Sequence, residues 1–193
     1  MKTRKTLLMV LSLVLVAVVS VAGTLAYLNS KTGPVTNTFT VGAVEITLDE
    51  AKVTNLGVKD GDDRVTENAY KLYPNHEYLK DPIVHVDAES EDCWLFVEVK
   101  NEIEAIEAPA NTIAAQLEAN GWTLVEGQTN VYAYRAIVSG GTDVPVFGSF
   151  KIADTVDNET LAAYDGKTVV VTALAVQADG FTTAAEAYAK VQF

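Results

Sequence analysis

Beyond residue 27 the chain runs in short stretches of alternating apolar and polar residues, separated by clusters of Gly, Asn, Asp and Pro. That is the pattern of half-buried strands joined by turns. Phe39 and Val41 are apolar at odd positions, flanked by Thr38 and Thr40; after Gly42 the phase reverses, with Val44, Ile46 and Leu48 apolar and Glu45, Thr47 and Asp49 polar. A strand cannot exchange its buried face without a bulge or a break, and a glycine in mid-strand is where one is expected. Two separable strand segments, 36–41 and 44–49, are therefore predicted.

Residues 55–68 read as a polar, turn-rich connection, and 77–88 as extended chain with Pro82 marking an edge or a strand start. Cys93, Leu95, Val97 and Val99 share one face of the next strand, whose other face begins aromatic (Trp94, Phe96) and ends charged (Glu98, Lys100). Ile113 and Leu117, four apart, predict a short helix over 111–120 with Gly121 as its stop. Further strands are expected at 122–125, 131–138 and 146–152. The stretch 168–178 is apolar on both faces, with alanines on one, as suits a central strand covered on both sides. A last short helix is expected within 182–189. Together these elements predict a mainly β domain: an antiparallel β-sandwich or jelly-roll with two or three short helices.

The N-terminus has a different character. Residues 1–6 are basic, 7–22 form an apolar run interrupted by Ser12 and Ser20, and small residues follow. This is the three-part layout of a secretory signal peptide, with Ser20-Val21-Ala22 and Thr24-Leu25-Ala26 as alternative cleavage segments. Leu7 to Leu28 is also just long enough to span a bilayer as an uncleaved anchor. The expected organisation is a signal peptide over 1–26 and a single domain over 27–193, with 27–41 as an exchangeable N-terminal strand and membrane contact only through the leader.

Charge narrows the functions. The 193 residues carry 26 acidic and 14 basic side chains, a net charge of −12, and three of the basic ones lie in the first five positions. A body this acidic without a basic stripe is not a nucleic-acid binder. One cysteine, Cys93, excludes an intramolecular disulfide, and Glu91 and Asp92 beside it oppose thiolate formation. The two histidines are His76, which lacks a second histidine one helical turn on because Lys80 stands there, and His85. Asp60, Asp62 and Asp63 suggest a calcium loop, but Arg64 and Lys71 occupy positions where that loop needs oxygen ligands. No nucleophile elbow is present. Read by its residues, the chain does not announce an enzyme.

Ala22-Gly23-Thr24-Leu25-Ala26-Tyr27, followed by Asn37-Thr38-Phe39-Thr40-Val41-Gly42 and Val44-Glu45-Ile46, resembles the SipW-dependent signal peptides and first strands of the TasA/camelysin family. Leu72-Tyr73-Pro74-Asn75-His76 through Lys80-Asp81-Pro82 is similar to that family's proline-glycine turn, with Asn75 in the place of glycine. The resemblance covers the first ~50 residues well and the rest in patches. It implies cleavage between Ala26 and Tyr27 by a dedicated signal peptidase, with Thr24 and Ala26 filling its pockets, and a jelly-roll domain. It also implies secretion to the extracellular matrix or cell surface of a Gram-positive bacterium.

Two kinds of function follow as expectations. In the first, the protein is a biofilm or extracellular-matrix fibre subunit whose partners are copies of itself or related matrix subunits. Residues 27–41 would add to a sheet edge of the next subunit, Phe39 and Val41 filling pockets and Gly42 ending the donor strand. In the second, motivated by the camelysin label, it is a secreted zinc endopeptidase, with His76, His85, Glu77 and Asp87 as the available ligands. A non-polymerising module that binds calcium or carbohydrate is a third expectation. The first of these requires no cofactor.

Overall fold

The computed structural model describes residues 3–6, 8–15 and 42–191. The chain divides into two compact units, Met1–Thr40 and Val41–Phe193. In the first, residues 3–6 and 8–15 are helical and exposed. The cleavage positions Thr24, Ala26 and Tyr27, and Phe39 and Val41 of the expected donor strand, lie outside the described residues. Among the described residues no helix is long and apolar enough to cross a membrane.

The second unit is mainly β and antiparallel. Its strands are β1 (Ile46–Val53), β2 (Lys59–Val65), β3 (Glu77–Leu79), β4 (Ile83–Val86), β5 (Cys93–Asn101), β6 (Trp122–Leu124), β7 (Val131–Tyr134), β8 (Asp143–Pro145), β9 (Ser149–Lys151) and β10 (Val169–Gln177). Its short helices are α1 (Ile113–Ala119), α2 (Asn158–Ala162) and α3 (Ala184–Tyr188), with a 3-10 turn at Glu104–Ile106. One sheet has the order β2-β1-β4-β8, the other β10-β5-β7-β6, and β3 pairs with β9 apart from both.

The alternation on β5 explains why the sheets stack. Cys93, Leu95, Val97 and Val99 join Val84, Val86 and Val144 of the first sheet in one buried core. Trp94 and Phe96, on the opposite face, pack instead with Ala187 and Tyr188 of α3. Glu98 and Lys100 run out into solvent and pair with each other at 2.9 Å. The helix predicted at 111–120 forms as α1: Thr112 caps it by accepting from the Ala115 N–H at 3.2 Å, Ile113 and Leu117 face the core, and Gly121 leaves it at φ +90°.

Several expectations are corrected. The connection 55–68 contains β2, which pairs with β1 through Glu50↔Val65, Ala51↔Arg64 and Val53↔Lys59. Its KDGDDRV sequence has no apolar face; backbone pairing and the Lys52–Asp60 and Lys59–Asp62 contacts hold it. The segment 77–88 is extended as expected, with Pro82 just before the start of β4, and it holds two strands, β3 and β4, that belong to different sheets. Within 146–152 only Ser149–Lys151 is strand, and β8 precedes it. The apolar stretch 168–178 is an edge strand rather than a central one, hydrogen-bonded to β5 alone among the described strands. Ala173 and Ala175 face the inter-sheet core and Leu174 and Val176 pack toward α3, whereas Val170 and Thr172 are exposed.

Candidate functional site

The two sheets are joined along one side by side-chain hydrogen bonds between their edge strands. On the joined side the last strands β6 and β8 are tied together. Trp122, fully buried, donates its indole N–H to the Pro145 carbonyl at 2.9 Å, and Asn120 donates its side-chain amide to the Val146 carbonyl at 3.0 Å. Elsewhere lies a groove of about 1190 Å³ lined by β1, the segment 66–73, α2 with residues 164–168, and the start of β10, an edge strand among the described residues. Leu48, Tyr70 and Leu72 form one wall; Ile103, Val169 and Val171 form the other. All but Ile103 are only half-buried, because the groove leaves one side of each without a packing partner.

Ala173 and Ala175 turn inward and occupy little of the space a larger side chain would fill. β10 borders the groove with Val169, Val170 and Val171, the first three of its nine residues. An edge of this length and composition is one that soluble proteins ordinarily cover, shorten or charge.

A polar cluster occupies the β1 wall of the groove. Glu50, 4% exposed, receives Lys80 Nζ at 2.6 Å on one carboxylate oxygen and the Asn68 amide at 2.9 Å on the other. Asn68 also donates to the Ala51 carbonyl at 2.9 Å and accepts the Val53 N–H at 3.0 Å, so its side chain serves β1 as a short strand partner. Tyr70 sits beside them; burial first, then the charge of Glu50, pushes its phenol well above the usual range.

On the outer face of the first sheet, Arg64 bridges Asp49 and Asp81, and His85 bridges Asp143 (Nδ1, 2.6 Å) and Asp49 (Nε2, 2.9 Å). Burial works against the charged imidazole, but hydrogen bonds to the two carboxylates outweigh it, so His85 titrates above its ordinary value. Asp49 goes the other way: burial raises it, and Arg64 and His85 together hold it below the usual carboxylate range.

The four residues named as potential zinc ligands do not converge. His76 Nε2 donates to the Leu56 carbonyl at 2.9 Å; Glu77 accepts from Ser149 Oγ at 2.8 Å; His85 is held by its two aspartates; Asp87 accepts the Glu89 N–H at 2.8 Å. Among the described residues no group of three or more His, Cys, Asp or Glu side chains is arranged to hold a metal ion. Asp60 and Asp62 contact lysines on and beside β2. Cys93 is fully buried, and burial, then Asp92, pushes its thiol up to about 11, far from the thiolate a nucleophile needs. Gly42 lies against Glu91: a Cβ there would stand 2.8 Å from Glu91 Cγ. Asn75 takes φ +56°, the left-handed region that glycine and asparagine tolerate best, in the turn before β3.

The groove and its polar cluster were not found by motif. The available signal was phase: Glu50 continues the apolar series Val44, Ile46, Leu48, which places a carboxylate on the inward face. Comparison of the chain with protein-family models, with curated proteins and with solved structures finds no match.

Proposed function

We propose that the protein is an exported structural subunit that assembles head to tail, residues 27–41 of one copy adding as a strand to the β10 edge of the next. The observation that carries this reading is the edge position of β10 among the described strands, with its first residues Val169, Val170 and Val171 lining the groove. Strand addition uses the free main-chain groups of such an edge for affinity and pockets for alternate side chains for specificity. In this arrangement Phe39 and Val41, two apart and on one face, enter the groove between Leu48 and Val171, and Gly42 marks where the added strand leaves its own domain.

The resemblance of the N-terminal segment to the TasA/camelysin family supports export with cleavage before Tyr27, which frees the donor. A contact between unlike surfaces does not close on itself and propagates a filament. The acidic body suits this scheme, since like-charged copies stay apart until a specific contact forms.

The test pairs a donor variant with an acceptor variant. Phe39→Asp in the donor and Val171→Lys in the groove should each abolish filaments in electron micrographs of exported protein, with the domain still folded by circular dichroism. Filaments that persist in both variants would exclude strand addition at this edge.

A further inference from the structure

We infer that Lys80 and Asn68 are joined by an intramolecular isopeptide bond, formed by the folded protein itself with Glu50 as the proton carrier. The inference does not depend on assembly. It rests on how three side chains that are far apart in sequence meet over β1.

The two reacting groups are held by the two oxygens of one carboxylate. Lys80 Nζ lies 2.6 Å from Glu50 Oε2, and the Asn68 side-chain nitrogen lies 2.9 Å from Glu50 Oε1. Nucleophile and amide are thus bridged by one carboxylate. The side chains of Glu50 and Lys80 are only 6% and 11% exposed. Fixing two groups in this way makes an otherwise bimolecular condensation effectively unimolecular.

The orientation of the Asn68 amide is settled by opposite demands at its two ends. Its oxygen accepts the Val53 N–H at 3.0 Å, and its nitrogen donates to Ala51 O and to Glu50. Each contact has a counterpart in acyl transfer. The Val53 N–H supports the oxygen on which negative charge develops. Glu50 touches both the attacking nitrogen and the leaving nitrogen, the position required of a group that takes a proton from one and delivers it to the other.

The steps balance without a co-reactant. Glu50 accepts a proton from the Lys80 ammonium, leaving a neutral amine beside a carboxylic acid; removing both charges relieves the desolvation that a buried ion pair suffers. The amine lone pair forms a bond to Asn68 Cγ as the carbonyl electrons move onto Oδ1. Glu50 passes its proton to the amide nitrogen and takes one from the former amine. The C–N bond to the side-chain nitrogen breaks, and the nitrogen leaves as ammonia, which carries away the remaining proton as ammonium. A secondary amide between Lys80 and Asn68 remains, and Glu50 is again a carboxylate. The groove, which Glu50, Asn68 and Lys80 all line, is the exit for the ammonia.

The bond would clamp the segment 68–80 across β1, beside the groove. The experiment is mass spectrometry of the full chain purified from its native export route, intact and after tryptic digestion under denaturing conditions. The expected result is a mass lower than the sequence requires by one ammonia, and a branched peptide joining the Lys80 and Asn68 segments, with no cleavage after Lys80. Lys80→Arg and Glu50→Gln should both lose the branched peptide completely while keeping the circular dichroism spectrum of the parent. Linear peptides bearing unmodified Lys80 and Asn68 from the folded parent protein would overturn the inference. A branched peptide that survives in folded Glu50→Gln would overturn the role of Glu50.

Discussion

Trp122 and Pro145 hold one side of the β-sandwich shut: the indole N–H of the first, on β6, is bonded at 2.9 Å to the carbonyl of the second, on β8. Among the described residues β1 and β10 pack together without such a hydrogen bond, and both line the groove. Trp122→Phe keeps most of the ring volume but leaves the Pro145 carbonyl without its donor. It should cost about 1–3 kcal/mol in urea unfolding. A loss below that range would mean that the contact does not help to close the joined side.

Gly57 is needed where it stands. It takes φ +70°, and a Cβ there would lie 2.6 Å from the Cα of Tyr78, a fully buried residue whose ring stacks on Phe150 at 4.8 Å. Gly57→Ala meets backbone strain and a clash with main chain together, and should destabilise by about 1–3 kcal/mol. Gly61→Ala serves as the comparison: it has a similar φ of +83° but nothing within 4 Å, so it should suffer the strain alone.

The histidine bridge across β1, β4 and β8 predicts a pH response. The folded-state value for His85 stands above its ordinary 6.5, because Asp49 and Asp143 outweigh the opposing effect of burial. Its contribution to stability is therefore fully present below the unfolded value and is lost as pH rises through the folded one. Asp49, lowered in the folded state, contributes above its unfolded value, and that contribution is lost as pH falls through the folded one. Side-chain exposures of 27% for His85 and 66% for Asp143 mean solvent screening, which limits the histidine share to about 1 kcal/mol or less. Urea midpoints measured across the neutral range should fall with pH in the parent and stay flat in His85→Gln. A parent profile that does not fall would refute the bridge.

How much of this was legible along the chain depends on what holds each element. β5 was readable because its two faces are buried by different partners, the opposite sheet and α3, and so carry different residues. β2 was not, because a strand held by backbone pairing and surface charges leaves no apolar alternation. The helix α2 buries no residue and rests on its Asp157 cap, a local bond that hydrophobic periodicity does not report. β10 was misread as central because apolar residues on both faces mark burial of faces and say nothing about occupied edges. The cluster of Glu50, Asn68 and Lys80 was hidden because its members come together only when the chain crosses β1 from two directions.

Assembly of like-charged subunits should respond to salt in a definite direction. The body of the chain is strongly acidic, so added salt screens repulsion between copies and should lower the concentration at which filaments appear. Light scattering across a salt series reads this out. Dissolution by salt would mean that charge attraction, not strand addition, holds the copies together.

Strand addition at β10 is tested most directly by electron microscopy of two exported proteins at matched concentration: the mature chain, and the same chain lacking residues 27–41. The account predicts thin filaments from the first and monodisperse particles from the second. Filaments from the chain without 27–41, or none from either protein under conditions that screen the charge, would contradict it.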